Sequence, residues 1–476
     1  MRGSHYCSAM MYQGAALCAA ALTVAVPARC TAAPVFGHIV VIVQENRTPD
    51  NIFGSNPTFE PGVDIATSGL SLTGQSIPFT PVPLDSCYDL GHTHEYFTAM
   101  YHDGKMDGAE KVQVAYTKPC EPGPSPQFRY IDNSTGTVQP YFDLAEQYGF
   151  DNRMFQTNQG PSFPAHQFLF GGTSAPTETS RLFASENMVS NGGAGCTAPP
   201  GQRVTVVDSL GHEFDYPPVY PCFDRPTMAD LLDGAGLSWR YYLNTEGADS
   251  IWAAPGAIKL LCDAQKQGNG KLACTGSDYI NNVPSTQGQV LTDIANCNLP
   301  KVSWVIPSAT DSDHAGFTGT TGPAWVASIV NAIGTQPTCP GGDSYWNSTA
   351  IFITWDDWGG WYDHVPPFKV GGQTTKHWGE GYTYGFRVPL LVVSAYTQAG
   401  FVSNAPSHDF GSILSFIESN FGLAHIGPGY YADSFGSSLS AFFGLATPRR
   451  FQVVPASKNA AYFLSRPPSS EPPDND

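Results

Sequence analysis

Short, uninterrupted apolar runs recur along the chain at His38–Asn46 (HIVVIVQEN), Val302–Pro307 (VSWVIP), Ala350–Asp357 (AIFITWDD) and Val388–Tyr396 (VPLLVVSAY). Rich in β-branched residues and lacking polar alternation, they match strands buried on both faces, as in a parallel sheet. The segment SWRYY from Ser238 reads as a further strand. Between these runs the period lengthens to that of a helix. Tyr141, Leu144, Ala145 and Tyr148 share one face within Thr137–Tyr148, and Phe410, Ile413, Leu414, Ile417 and Phe421 share another after Asp409. Thr227 caps a helix whose Met228, Leu231 and Leu232 face inward and which stops at Gly234–Gly236, while Pro323–Ile333 ends at Gly334. Strands alternating with helices predict a doubly wound α/β fold, a mainly parallel sheet sandwiched by helices.

Two of the strands end abruptly in acidic or amide side chains: Glu45 and Asn46 close the first, Asp356 and Asp357 the third. Parallel α/β sheets bind ligands beyond the carboxyl ends of their strands, so these four residues should converge. A polar strand end is commonplace when it stands alone. Three carboxylates in one place, however, repel one another unless a cation lies between them, and the pair therefore predicts a divalent metal site. Ca, Mg, Mn or Zn would each accept such ligands.

The best candidate nucleophile lies in NQGPSFPAHQFLFGG, Asn158–Gly172. Pro164 suits the first position of a helix running through Phe170, which puts the Ser162 hydroxyl at a helix N-terminus, where anions meet free N–H groups. Serine at such a place is most often only an N-cap. A neighbouring cation changes that, because it lowers the hydroxyl pKa and makes an alkoxide accessible. Histidine would supply the acid for the leaving group. His314, just beyond the VSWVIP strand, ranks first and His92 second, with His364 and His408 lower, although any one of them is more often a structural histidine. The turn-rich stretch Thr48–Pro83 shows no period, and His92, His94, His102 and GKMDG at Gly104 read as loops at the mouth of the site. Lys105 and Asp107 are outlying candidates there, a lone loop lysine being most often just solvated.

Charge narrows the partners. With 23 Lys and Arg against 41 Asp and Glu, the net charge of −18 and the absence of a basic run exclude nucleic acid or an anionic membrane as the main partner. Only 13% of residues are charged, while Gly (49) and Pro (40) abound, which suits a secreted protein. Arg2 and His5, an apolar stretch Gly14–Pro27 and small Thr31–Ala33 describe a cleavable signal peptide over 1–33, too short in its apolar part to span a bilayer. No later segment is long enough for stable membrane insertion. Its removal takes Cys7, Cys18 and Cys30 from the 11 cysteines and leaves eight, an even number without metal-knuckle spacing. Up to four disulfides are expected, Cys196 with Cys222 and Cys262 with Cys274 being local suggestions among 105 pairings. They would staple loop insertions around 55–135 and 175–300 rather than the sheet. One domain should cover 34–464, followed by a disordered Pro, Ser and acid tail at 465–476.

At this point a family resemblance enters. ENRTPDNIFG at Glu45, GKMDG at Gly104, GPSFPAH at Gly160, VSWVIPSATDSDHAG at Val302, TWDDWGGWYDHVPPF at Thr354 and GFRVPLLVVS at Gly385 resemble, in order, the phosphoesterase family of bacterial and plant phospholipases C and bacterial acid phosphatases. The motifs cover nearly all of residues 38–423. The resemblance implies an alkaline-phosphatase-like sheet, a metal held by Glu45, Asn46, Asp356 and Asp357, and Ser162 as the attacking group, forming a phosphoserine. Phospholipase C members usually carry Thr in place of Ser162 and an Asp-Glu pair in place of Asp356 and Asp357, and the larger ones add C-terminal β-rich domains for which no room follows Phe421. These departures lean toward an acid-phosphatase-like phosphomonoesterase.

The substrate would then be a small phosphate ester or a phospholipid headgroup. A phospholipase C would need an apolar rim, which Trp355, Trp358, Trp361 and Tyr362 could furnish unless they pack against the sheet. The other readings are a sulfatase or another phosphodiesterase on the same scaffold, and an inactive secreted protein whose acidic strand ends hold a structural cation.

Overall fold

The computed structural model describes residues 36–469 apart from 117–118, 189–192, 209, 244–249, 287, 318, 343, 368 and 370–382. The expected signal peptide and the tail beyond residue 469 lie outside the described residues.

Seven strands make the central sheet: β1 (His38–Gln44), β2 (Gly149–Asp151), β3 (Trp239–Leu243), β4 (Val302–Ile306), β5 (Thr349–Trp355), β6 (Leu390–Ser394) and β7 (Phe401–Ser403), in the order β3-β4-β1-β5-β6-β2-β7. β3, β4, β1 and β5 pair in parallel, and β6 pairs antiparallel with both β5 and β2. The apolar run at Val388 is thus a strand as its composition implies, but a reversed one. A run buried on both faces carries no mark of its direction.

The helices are α1 (Pro49–Phe53), α2 (His94–Tyr101), α3 (Gln139–Gln147), α4 (Ser162–Gly171), α5 (Met228–Gly234), α6 (Gly322–Thr335), α7 (Phe410–Phe421) and α8 (Ala460–Ser465), with shorter turns between them. Strand register assigns the layers, because side chains level across a sheet share a face. Val41 lies level with Trp304 on one side and Phe352 on the other. The Trp304 indole N–H donates to Leu169 O of α4 at 3.0 Å, and Phe352 meets Phe416 of α7. Trp355, three residues on from Phe352, points to the opposite face and packs edge-on against Tyr141 of α3. α4 therefore packs with α5 and α7 on one side, α3 with α6 on the other. This is the doubly wound sandwich predicted above.

Several expectations are corrected. Within the stretch read as periodless, Thr48 accepts a hydrogen bond from Asn51 N and Pro49 opens α1, signals visible in the residues but attached to only five helical positions. The His94 segment is the helix α2, not a loop, because His94, Phe97 and Met100 turn one face into the core. Trp239–Leu243, inside the span expected to be inserted, is the edge strand of the main sheet. The tail begins in order, since Ser465 closes α8 and Arg466 pairs with Asp311. Disulfides join Cys87–Cys120, Cys196–Cys222, Cys262–Cys274 and Cys297–Cys339, including both local suggestions.

Candidate active site

β1 and β5 are adjacent and parallel, so their polar ends emerge side by side. The pairing runs one residue past β5, where Asp356 N donates to Gln44 O at 2.9 Å. Asn46 then takes a left-handed conformation (φ 62), which Asn tolerates better than most residues. Its backbone N–H (3.1 Å) and that of Asp357 (2.8 Å) both donate to Asp356 Oδ1. That fixes the carboxylate and turns Oδ2 toward α4. Gly359 must be glycine here: its φ is +60, and a Cβ would lie 2.4 Å from Asn46 O. Its N–H holds Asp357 Oδ1 at 2.7 Å.

α4 starts at Ser162 after Pro161, two residues earlier than Pro164 suggests, since proline is tolerated throughout a first turn whose N–H groups lack helical partners. Ser162 is accordingly not an N-cap. Its hydroxyl donates to Asp357 Oδ2 at 3.2 Å. One turn along the same face, His166 Nε2 lies 3.3 Å from Glu45 Oε1 and 3.7 Å from Asp356 Oδ2. Sequence reading missed His166, although its i,i+4 spacing from Ser162 within GPSFPAH was the available signal.

The tautomer of His166 follows from its other nitrogen. Tyr241 of β3 uses its hydroxyl hydrogen on Trp252 O at 2.7 Å, so it must accept from His166 Nδ1 at 2.9 Å. The Nε2 lone pair is left facing two carboxylates. Burial drives the His166 pKa down to about 4 against the opposing pull of Asp356, so no proton fills that gap near neutral pH. Asp356 Oδ2 and Asn46 Oδ1 are buried without a hydrogen-bond partner among the described residues, and ligand atoms of Glu45, His166 and Asp356 lie within 4.8 Å of one another. Lone pairs converging in a buried site fit a divalent cation, and the imidazole favours Zn or Mn over Ca or Mg.

His92 joins this cluster. Its Nδ1 donates to Leu90 O at 2.9 Å and its Nε2 accepts from Asn46 Nδ2 at 3.1 Å. The His314 ring is 6.0 Å from that of His92. His314 Nδ1 faces Ala315 O at 2.7 Å and Asp89 Oδ2 at 3.8 Å. Arg47, fully buried, binds Asp313 O at 2.7 Å and Leu84 O at 2.9 Å, tying the end of β1 to the loop that carries His314. Burial lowers its pKa to about 10, partly offset by Asp313.

The remaining candidates are engaged elsewhere. His364 bridges Asp50 at 2.8 Å and Asp64 at 3.0 Å, in a network with Arg387 and Asp363. His408 holds Asp151 Oδ2 at 2.5 Å beside the start of α7. Lys105 is exposed and Asp107 accepts from His102. The aromatics offered as an apolar rim are buried: Trp355, Trp358 and Trp361 are each 0% exposed and Tyr362 3%.

One helix and two strand ends thus set the Ser162 hydroxyl beside Glu45, His166 and Asp356, a group that could hold a metal ion. The chain belongs to the Phosphoesterase family, which it matches over residues 36–424. It is 26% identical to a non-hemolytic phospholipase C of Burkholderia pseudomallei, the alignment covering 81% of this chain and 55% of that protein. Identity is 24% to the hemolytic phospholipase C of Pseudomonas aeruginosa, over 88% and 57%, and 28% to non-specific phospholipase C6 of Arabidopsis thaliana, over 81% and 68%. The chain thus spans little more than half the length of the two bacterial relatives. Among solved structures, a protein in the alkaline phosphatase superfamily from Vibrio parahaemolyticus is 12% identical, with 81% of this chain and 67% of that chain covered, at a TM-score of 0.33. All three of these relatives are phospholipases C, whereas Ser162 and the Asp356–Asp357 pair lean toward an acid phosphatase.

Proposed function

We propose that the protein is a phospholipase C-type phosphodiesterase, one that cleaves the bond between a phospholipid's glycerol oxygen and its phosphorus through a phosphoserine intermediate. One observation carries the reading: Ser162 and His166 stand one turn apart on α4, the first bonded to Asp357 and the second facing Glu45 and Asp356. Glu45, Asn46, His166, Asp356 and Asp357 would hold the cation, whose contribution is to neutralise phosphate charge and lower the pKa of the serine hydroxyl.

The chain's own residues supply the rest. Asp357 accepts the Ser162 proton, Ser162 Oγ bonds to phosphorus in line, and the phosphorus–oxygen bond to diacylglycerol breaks. His314, steadied by Ala315 O and Asp89, gives the departing alkoxide its proton; His92, whose Nε2 is already accepting from Asn46, orients that amide instead. Water then cleaves the Ser162 phosphodiester and frees the headgroup phosphate. Four disulfides support export to an oxidising compartment. Among the described residues no helix is long and apolar enough to cross a membrane.

A substrate panel with chelator and metal add-back tests the proposal: phosphatidylcholine, a soluble phosphodiester, a phosphomonoester and a sulfate ester. Metal-dependent turnover highest on the lipid is expected. Turnover confined to the monoester would restore the phosphatase reading, and none on any ester would leave a binding protein.

A further inference from the structure

A second group of metal-ligating side chains lies apart from the strand ends, where α7 meets the turn after it. Glu418, near the end of α7, is 3% exposed, and Asp433, in the single turn Ala432–Ser434, is 1% exposed. His425 reaches both, its Nδ1 lying 3.0 Å from Glu418 Oε2 and 3.3 Å from Asp433 Oδ2. One ligand atom from each residue lies within 4.8 Å of the others. Glu418 Oε1 and Asp433 Oδ1, on the same two carboxylates, are buried and receive no N–H hydrogen bond among the described residues, and the two carboxyl groups lie against each other. Gly172, the αL cap of α4 (φ +68), leaves Asp433 its room, since a Cβ there would lie 2.9 Å from Asp433 Oδ1. The His425 side chain is 56% exposed, which gives the cluster one side open to solvent.

We propose that Glu418, His425 and Asp433 form a second divalent-metal site, separate from the Glu45–His166–Asp356 cluster. One imidazole and two carboxylates suit Zn²⁺ or Mn²⁺, with water completing the coordination from the open side. Ala432 N donates to Gly172 O at 2.8 Å, so a cation tying Glu418 to Asp433 braces the far end of the helix that carries Ser162 and His166. The site is a clamp on the position of α4.

The test uses the full chain, dialysed free of metal and titrated with Zn²⁺ alone, with bound zinc counted by elemental analysis and Tm recorded. Wild type should bind two equivalents, while His425→Ala and Asp356→Ala should each bind one. In the Asp356→Ala background, Zn²⁺ should raise Tm, and adding His425→Ala should abolish that rise. Co²⁺ in Asp356→Ala should show visible d–d absorption that vanishes in the double variant. His425 is exposed, so its replacement leaves the fold intact even if Glu418→Gln does not. Equal zinc stoichiometry in wild type and His425→Ala, or an unchanged Zn²⁺-dependent Tm, would overturn the proposal. Because the readout is metal content and not turnover, failure here leaves the esterase reading standing.

Discussion

Tyr241→Phe removes one oxygen from the support of the cation cradle and leaves its outline intact. The hydroxyl makes two bonds, accepting from His166 Nδ1 at 2.9 Å and donating to Trp252 O at 2.7 Å. With ring volume kept, no cavity of consequence forms. His166 Nδ1–H is instead stranded in a fully buried place, which should cost roughly 1–3 kcal/mol of stability. The larger effect falls on metal affinity, because nothing then holds the imidazole in the tautomer that points a lone pair at Glu45 and Asp356. Loss of such a supporting hydrogen bond typically weakens metal binding about 10–100-fold, or about 1.4–2.7 kcal/mol. Calorimetric titration of metal into the chelated proteins, in a background of His425→Ala to silence the other cluster, measures it directly. His166→Ala in the same background should weaken binding further. Unchanged affinity in Tyr241→Phe together with unchanged affinity in His166→Ala would refute the cradle as drawn.

Further outcomes are expected. Ser162→Ala, at a residue that makes no helix cap, should lower kcat by several orders of magnitude while Tm and metal content barely move; near-normal turnover would point to direct attack by water. For His364, burial opposes the proton, but the hydrogen bond and charge of Asp50 win and raise its pKa, so its stabilisation is full below the unfolded value of about 6.5 and is lost as pH rises through the folded pKa. The urea-midpoint gap between wild type and His364→Gln should therefore be widest near pH 5.5 and close toward pH 9, and a gap that widened with pH would contradict the assignment. Replacing Cys297 and Cys339 by Ser should destabilise more than replacing Cys262 and Cys274, by about 1 kcal/mol on loop-closure grounds, since the sequence separations are 42 and 12. Equal losses by thermal melting would show that local strain, not chain entropy, dominates.

What the sequence disclosed and what it hid follow the same physical line. β1, β4, β5 and β6 were legible because burial on both faces demands continuous apolar runs, and the acid ends of β1 and β5 were legible because so abrupt a change of polarity has few structural causes. His166 was hidden for the opposite reason. It lies in a helix buried on all sides, SFPAHQFLFG, so no polar face set it apart, and only the partners it meets across the sheet give it a role. The direction of β6 and the packing of the tryptophans after β5 likewise depend on neighbours remote in sequence. His364 shows the same dependence: it follows an acidic strand end, and Asp50 and Asp64, remote in sequence, take up both of its nitrogens.

Because Ser162 and His166 share α4, their backbone positions are set about 6 Å apart along one rigid axis. Loops that contribute groups to a reaction let each group drift by itself; a common helix makes them a gauge of fixed span. Any tilt or slide of α4 moves both together against Asp357, Glu45 and Asp356. Insertions elsewhere can then reshape the approach to these residues without retuning the spacing between them.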